Sequence, residues 1–297
     1  MNALGAGAST GDTRPKMRFA IVAHAVTATN AALATPTVAG FEPAVMAPAR
    51  AVAQLEPGDV AVGRLDVLPS LVGIEPGVWA LDELADRGVR VLNGSATLWG
   101  AHDKLLTATR LLQAGLPHPW TGHLRCDGPP PPFVPPVVVK PRFGSWGRDV
   151  TACTTLGELA ACLETIRKRR WFRATGALVQ DLVPSQGYDL RLVVAGGRVI
   201  GAIRRVAAPG EWRTNVALGA RREPITPPRE ACELAIAAAA AVGGDLVGVD
   251  LLPADEGYVV IEVNGAVEFT AEYAAGGDVF ADAVSSLTGA TAVSYAA

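Results

Sequence analysis

Short apolar runs alternate with amphipathic stretches along the first third of the chain. The segments FAIVA (19–23), VAVGRLDVL (60–68) and VRVL (89–92) read as strands, and residues 76–87 as a helix with a proline in its first turn and Gly88 as its stop. This pattern predicts a small α/β domain over residues 17–100. A second helix is expected over residues 103–113, with Lys104 in its first turn, Leu105, Leu106, Thr109 and Leu112 along one side, and Gly115 and Pro117 ending it. The proline-rich CDGPPPPFVPP (126–136) is extended and delivers the chain into the buried-type strand VVVK (137–140). Thr155, followed three residues on by Glu158, forms a capping box for a helix whose apolar side is Leu156, Leu159, Leu163 and Ile166, and whose basic end is 167–170. Two strands across 189–206 turn at Gly196-Gly197, and a helix from about Pro228 ends at Gly243-Gly244.

The last hairpin carries the most chemistry. Two apolar runs, 246–252 and 258–263, flank Pro-Ala-Asp-Glu-Gly, a turn signal. Side chains alternate faces along a strand, so Glu262 and Asn264 share a face, and a register centred on the turn brings Asp250 near Glu262. Two carboxylates and an amide supply the hard oxygens that Mg²⁺ takes, with its remaining positions left to water and phosphate. Asp250 and Glu262 each interrupt an almost wholly apolar run, where an unpaired charge is costly and a metal offsets that cost. The other reading is the solvated face of a hairpin.

A second informative stretch follows the strand ending at Lys140. In PRFGSWGRDV, Gly144 and Gly147 bracket Ser145 and Trp146, and glycines let backbone N–H groups approach a polyanion closely. A plain glycine turn has the same look. Farther on, Asp189 and Arg191 share a face, as do Arg213 and Asn215 of WRTN.

Composition narrows the function classes. The 297 residues suffice for two or three domains, and no run of about 18 apolar residues is present; the longest alanine-rich run is 234–242. Residues 1–16 lack the apolar centre of a secretory signal and read as a flexible extension. Four scattered cysteines argue against a zinc site or a disulfide framework and fit a reducing cytoplasm. A net charge of −3 gives no general pull toward nucleic acid or membrane. His24, His102, His118 and His123 form no catalytic pattern and read as structural or solvated.

The order of these motifs, from Lys104 through VVVKP, GSWGRDV, VQDLV, DLR and WRTN to GVDLL and IEVN, resembles the ATP-grasp superfamily. GSWGR, WRTN and EVNGAVEF bring it nearest to the RimK-like ligases, particularly the LysX type that charges an amino-group carrier protein. The resemblance covers the chain from about Met17 onward. It implies an α/β (α+β) fold: an N-terminal domain (17–100), a central ATP-grasp subdomain with a phosphate lid (101–185) and a C-terminal subdomain with the metal site (186–297), ATP lying between the last two. Lys104 and Lys140 are expected to reach the phosphates, with Gly144, Ser145, Trp146 and Gly147 as the lid. Gln180, Asp181, Leu182 and Val183 would meet adenine as the hinge, with Asp189 beside the nucleotide. Asp250, Glu262 and Asn264 would hold two Mg²⁺ ions, or Mn²⁺. Arg191 and Arg213 would stabilise the transferred phosphoryl group, Asn215 would orient substrate, and Glu268 and Phe269 would help receive an amino acid. Relatives often carry an acidic ribose contact just after the hinge; Pro184-Ser185-Gln186 supplies none.

The activity implied is a cytoplasmic carboxylate–amine ligase that releases ADP and phosphate. It would join an amino acid to a carboxylate of a carrier protein or peptide, and work as a homo-oligomer, dimer or tetramer, without nucleic acid or membrane. The alternatives are an ATP-grasp kinase of small hydroxylated molecules and a nucleotide-binding regulator. Intact Lys140, Arg191, Asp250, Glu262 and Asn264 argue against the regulator.

Overall fold

The computed structural model describes residues 17–36, 40–128, 132–274 and 276–290. The expected extension at 1–16 and three prolines of the proline-rich segment lie outside them.

Three sheets follow one another along the chain. The first is parallel, in the order β2-β1-β3-β4. It is built from β1 (Met17–Val22), α1 (Ala28–Leu33), β2 (Phe41–Met46), α2 (Pro48–Gln54), β3 (Val60–Gly63), α3 (Val78–Asp86) and β4 (Arg90–Leu92). The run 60–68 is strand only as far as Gly63; Arg64 then leaves the sheet and is buried. The first of the expected helices starts at Val78, with Gly77 in a left-handed conformation at its N-cap and Pro76 outside it.

After α4 (Ser95–His102) comes α5 (Lys104–Gln113), capped by the Asp103 carboxylate, which accepts from the Leu105 and Leu106 amides. Its buried side is Thr107, Ala108 and Leu111; the expected Leu112 is 75% exposed. Arg142 explains the rotation: its bidentate pairing with Asp103 ties the N-terminus of α5 to the strand ahead of the glycine loop, and tertiary anchoring outweighs a diffuse apolar pattern.

The second sheet is antiparallel, β5-β8-β6-β7. It uses β5 (Thr121–Leu124), β6 (Val137–Pro141), β7 (Thr151–Cys153) and β8 (Ala177–Asp181), with α6 (Leu156–Ile166) and α7 (Arg170–Thr175) alongside. Thr155 caps α6 as expected, while Glu158 reaches back to the Thr154 amide and hydroxyl. Leu156 is exposed and Cys162 takes its place in the core with Ile166.

The third sheet is antiparallel, β11-β10-β9-β12-β13. Its members are β9 (Tyr188–Ala195), β10 (Arg198–Val206), β11 (Arg221–Pro224), β12 (Leu246–Ala254) and β13 (Gly257–Asn264); α8 (Arg229–Val242) covers one face and α9 (Val279–Thr288) packs near the other. Strand parity sorts the residues. Leu190, Leu192, Val249 and Leu251 face the alanines of α8 in one core. On the opposite face Val193, Ala195 and Leu246 join Phe19 and Ile21 of the first sheet, so that face is apolar at one end. Its other end holds Asp189, Arg191, Arg205, Asp250 and Glu262. Among the described residues no helix is long and apolar enough to cross a membrane.

Candidate active site

Register builds the charged end. Asp250 lies directly opposite Arg191 on one neighbouring strand and opposite Glu262 on the other, and Arg205 lies opposite Asp189. Directly paired residues of antiparallel strands share a face, so all five meet. Arg191 grips Asp250 through Nε and Nη2, each at 2.6 Å, and Arg205 adds a third bond to Asp250 Oδ2 at 2.9 Å. Arg205 also pairs with both oxygens of Asp189, and the Thr214 hydroxyl donates to Asp189 at 2.6 Å. Burial pushes the Asp250 carboxyl up, but the charges of Arg191 and Arg205 overcome it and hold the group well below the usual carboxylate range. Arg205 and Thr214 escape the sequence reading.

Lys104 joins this end of the sheet to the glycine loop. Its ammonium donates to Glu262 Oε1 and to the Gly144 carbonyl, both at 2.7 Å. Arg213 grips the loop from the other side, donating to the Gly147 and Val150 carbonyls at 3.3 and 3.4 Å while Glu211 holds its guanidinium. That bonding draws the Glu211 carboxyl down to about 2. The loop carries Trp146 at φ +64° and Gly147 at φ +69°, and Trp146 is 52% exposed.

Two cavities meet here. The first is walled by Lys104, Lys140, Gly144, Ser145, Gly147, residues 180–183, Asp189, Arg213 and Asp250, whereas Trp146 lines the second. Ser185, just after residues 180–183, lines the first as well. The second cavity carries Asp66, His102, Arg191, Arg222, Asn264, Glu268 and Tyr273. Ser145, Arg205, Asn215 and Glu262 stand in both walls.

Of the other expected residues, Glu268 lines the second cavity, held by Thr27 at 2.9 Å and by the buried Arg64 at 3.2 Å. Phe269 lines neither. It is buried, stacked on Phe280 at 5.0 Å, and its backbone is pinned at both N–H and C=O by the Thr29 hydroxyl, so it presents Glu268 from the core. His102, read as structural or solvated, is buried in the second cavity's wall, and its Nε2 has no partner among the described residues.

A family model for the RimK-like ATP-grasp domain matches residues 128–285. The glutamate–LysW ligase ArgX of Sulfurisphaera tokodaii is 31% identical over 223 residues, 72% of this chain and 78% of its own. The chain belongs to the RimK-like ATP-grasp family. The α-aminoadipate–LysW ligase LysX of Saccharolobus solfataricus is 33% identical over 187 residues, covering 61% of this chain and 68% of that one. In fold the chain resembles the crystal structure of a RimK-domain ATP-grasp protein from Sphaerobacter thermophilus, with a TM-score of 0.63 and 22% identity over 91% of this chain and 99% of that one. This RimK-like protein is an ATP-dependent carboxylate–amine ligase.

The residues present fit the divalent metal that the motifs imply. Asp250, Glu262 and Asn264 carry hard oxygens, those of Asp250 shared with Arg191 and Arg205 and one of Glu262 with Lys104, and the Asn264 amide nitrogen is buried without a partner among the described residues, so the amide gives up nothing by turning its oxygen to a cation. No three histidine, cysteine or acidic side chains cluster as ligands among the described residues.

Proposed function

We propose that the chain joins a carboxylate of a small carrier protein or acidic-tailed peptide to the amino group of an amino acid, by way of an acyl phosphate formed from ATP. The observation that carries this reading is the common wall. A cavity lined by Lys104 and Lys140 shares Ser145, Arg205, Asn215 and Glu262 with a second cavity lined by charges of both signs.

In that arrangement residues 101–185 and 186–297 clasp the nucleotide, while 17–100 completes the substrate side. Lys104 and Lys140 hold the phosphates under the loop at 144–147, and the backbone of residues 180–183 meets adenine. Asp250, Glu262 and Asn264 would hold two Mg²⁺, with Mn²⁺ as a substitute; bound there, the ions neutralise charge on the transferring phosphoryl group. A carboxylate oxygen is a poor leaving group until phosphorylated, so the protein's work is to orient the acid and offset charge. Arg191 and Arg213 do the second, and Asn215 the first. In the second cavity Arg191 and Arg222 suit a carboxylate, while Asp66 and Glu268 suit an ammonium, the two ends of an amino acid. The LysW ligases among the relatives, named for glutamate and α-aminoadipate, use substrates of this class.

Hydroxylamine tests the scheme. With ATP, Mg²⁺ and an accepted acid, found by screening acidic-tailed peptides for ADP release, it should capture the acyl phosphate as a hydroxamate alongside ADP. A stable phosphorylated product instead would identify a kinase, and AMP with pyrophosphate would mean adenylation and sink the proposal.

A further inference from the structure

Lys140 differs from the cations around it. Lys104, Arg191, Arg205 and Arg213 each pair with a carboxylate. Lys140 is buried, and its ammonium donates instead to a neutral amide, Gln180 Oε1, at 2.8 Å. A buried cation whose ammonium is bonded to no carboxylate is suited to a phosphate, provided it is aimed.

The aim comes from a chain of hydrogen bonds that ends in the third sheet. Gln180 lies directly opposite Thr121 on β5, and its Nε2 donates to the Thr121 hydroxyl at 2.7 Å, with His118 Nε2 at 3.2 Å. His118 Nδ1 lies 2.7 Å from the Val260 carbonyl, which can only accept, so Nδ1 carries the proton and Nε2 offers a lone pair. Flipping the Gln180 amide would set its NH₂ against the Lys140 ammonium and its oxygen against that lone pair. Both contacts would be repulsive, so neutral His118 fixes which end of Gln180 meets Lys140. Burial keeps His118 neutral, lowering its pKa to about 4. The Val260 amide donates to the Pro117 carbonyl at 2.9 Å, so residues 117–118 hold both backbone groups of a residue two places from Glu262.

We infer that His118 is a positioning residue: through Gln180 it aims Lys140 at the nucleotide phosphates and ties that aim to the strand bearing Glu262. The inference rests on the proposed nucleotide cavity, and the test separates the two. MgATP and adenosine affinities are measured by calorimetry for the full chain and for Lys140→Met, His118→Leu, His118→Gln and the Lys140→Met/His118→Leu pair. Lys140→Met should weaken MgATP about tenfold or more, and His118→Leu by about tenfold. Adenosine affinity should stay within about twofold, because the relay acts on phosphates alone; a merely structural role would move both. His118→Gln, whose amide can donate to Val260 and accept from Gln180, should recover most of the loss. The double variant should be no weaker than Lys140→Met, since His118 acts through that lysine. Unchanged MgATP affinity in His118→Leu, or additive losses in the pair, overturns the relay. If Lys140→Met itself leaves MgATP unaffected, the nucleotide cavity is misassigned and the relay falls with it. Should His118→Leu not fold, Thr121→Val, which removes the hydroxyl anchoring Gln180, is read by the same criteria.

Discussion

Arg191 closes on both oxygens of Asp250 from the neighbouring strand at 2.6 Å, whereas Glu262, another carboxylate on that face, meets a lysine through one oxygen. The two proposed metal ligands therefore stand in different structural settings. Removing Asp250 leaves Arg191 and Arg205 buried beside each other, and breaking a buried ion pair in this way costs about 3–5 kcal/mol. Asp250→Ala should unfold at markedly lower denaturant. Glu262 is partly exposed, so Glu262→Gln should keep stability within about 1 kcal/mol while lowering turnover at least about 100-fold. Chemical denaturation beside ADP release checks both halves, and near-normal turnover in Glu262→Gln would remove the metal assignment.

Burial, and then the charge of Lys104, lower Lys140 to about 8 against the opposing pull of Glu262. Below that pH the amine is already charged in the free protein and meets phosphate without a proton change. Above it, phosphate must bring a proton along. Affinity for MgATP should therefore fall as pH rises past about 8, by up to about tenfold per unit. Stability of the free protein runs the other way. Between about 8 and the ordinary lysine value of 10.5 the unfolded chain binds the extra proton, so this group makes the fold more stable as pH rises through that window. Lys140→Met should flatten both profiles.

The glycine loop is held by groups that phosphates would compete for: Lys104 on the Gly144 carbonyl and Arg213 on the Gly147 carbonyl. Trp146 sits in a left-handed conformation that costs a non-glycine residue about 1–2 kcal/mol, a strain that favours rearrangement. Its fluorescence and the loop's protease protection should change when MgATP binds. No change in either, with binding shown independently, would remove the lid. Gly147→Ala should slow turnover, because a Cβ there would stand 2.6 Å from Asn215 Oδ1 at a φ of +69°.

Much of this architecture is legible in the residues. The two apolar runs around Pro-Ala-Asp-Glu-Gly form the expected hairpin with Asp250 opposite Glu262, and Gly196-Gly197 turns the other pair. Arg205 is harder to find for a physical reason. Counted back from its turn, Asp189 would face Arg204; an irregularity between Val199 and Gly201 shifts the register by one and brings in Arg205 instead. Arg204 is left to pair with Glu223 and lie over Tyr188. The buried side of α5 is similarly set by the Asp103–Arg142 pair, a contact across 39 residues that helical periodicity does not register. His118 gives no signal, because its role depends on touching two sheets at once.

Four residues, Ser145, Arg205, Asn215 and Glu262, form the frame common to both cavities. An acyl phosphate is prone to attack by water, and on the proposed scheme a wall common to both cavities spares it any travel to meet its amine. The frame thus sets the enzyme's thrift as much as its speed: loosening it should show first as phosphate released in excess of amide formed, before either rate declines.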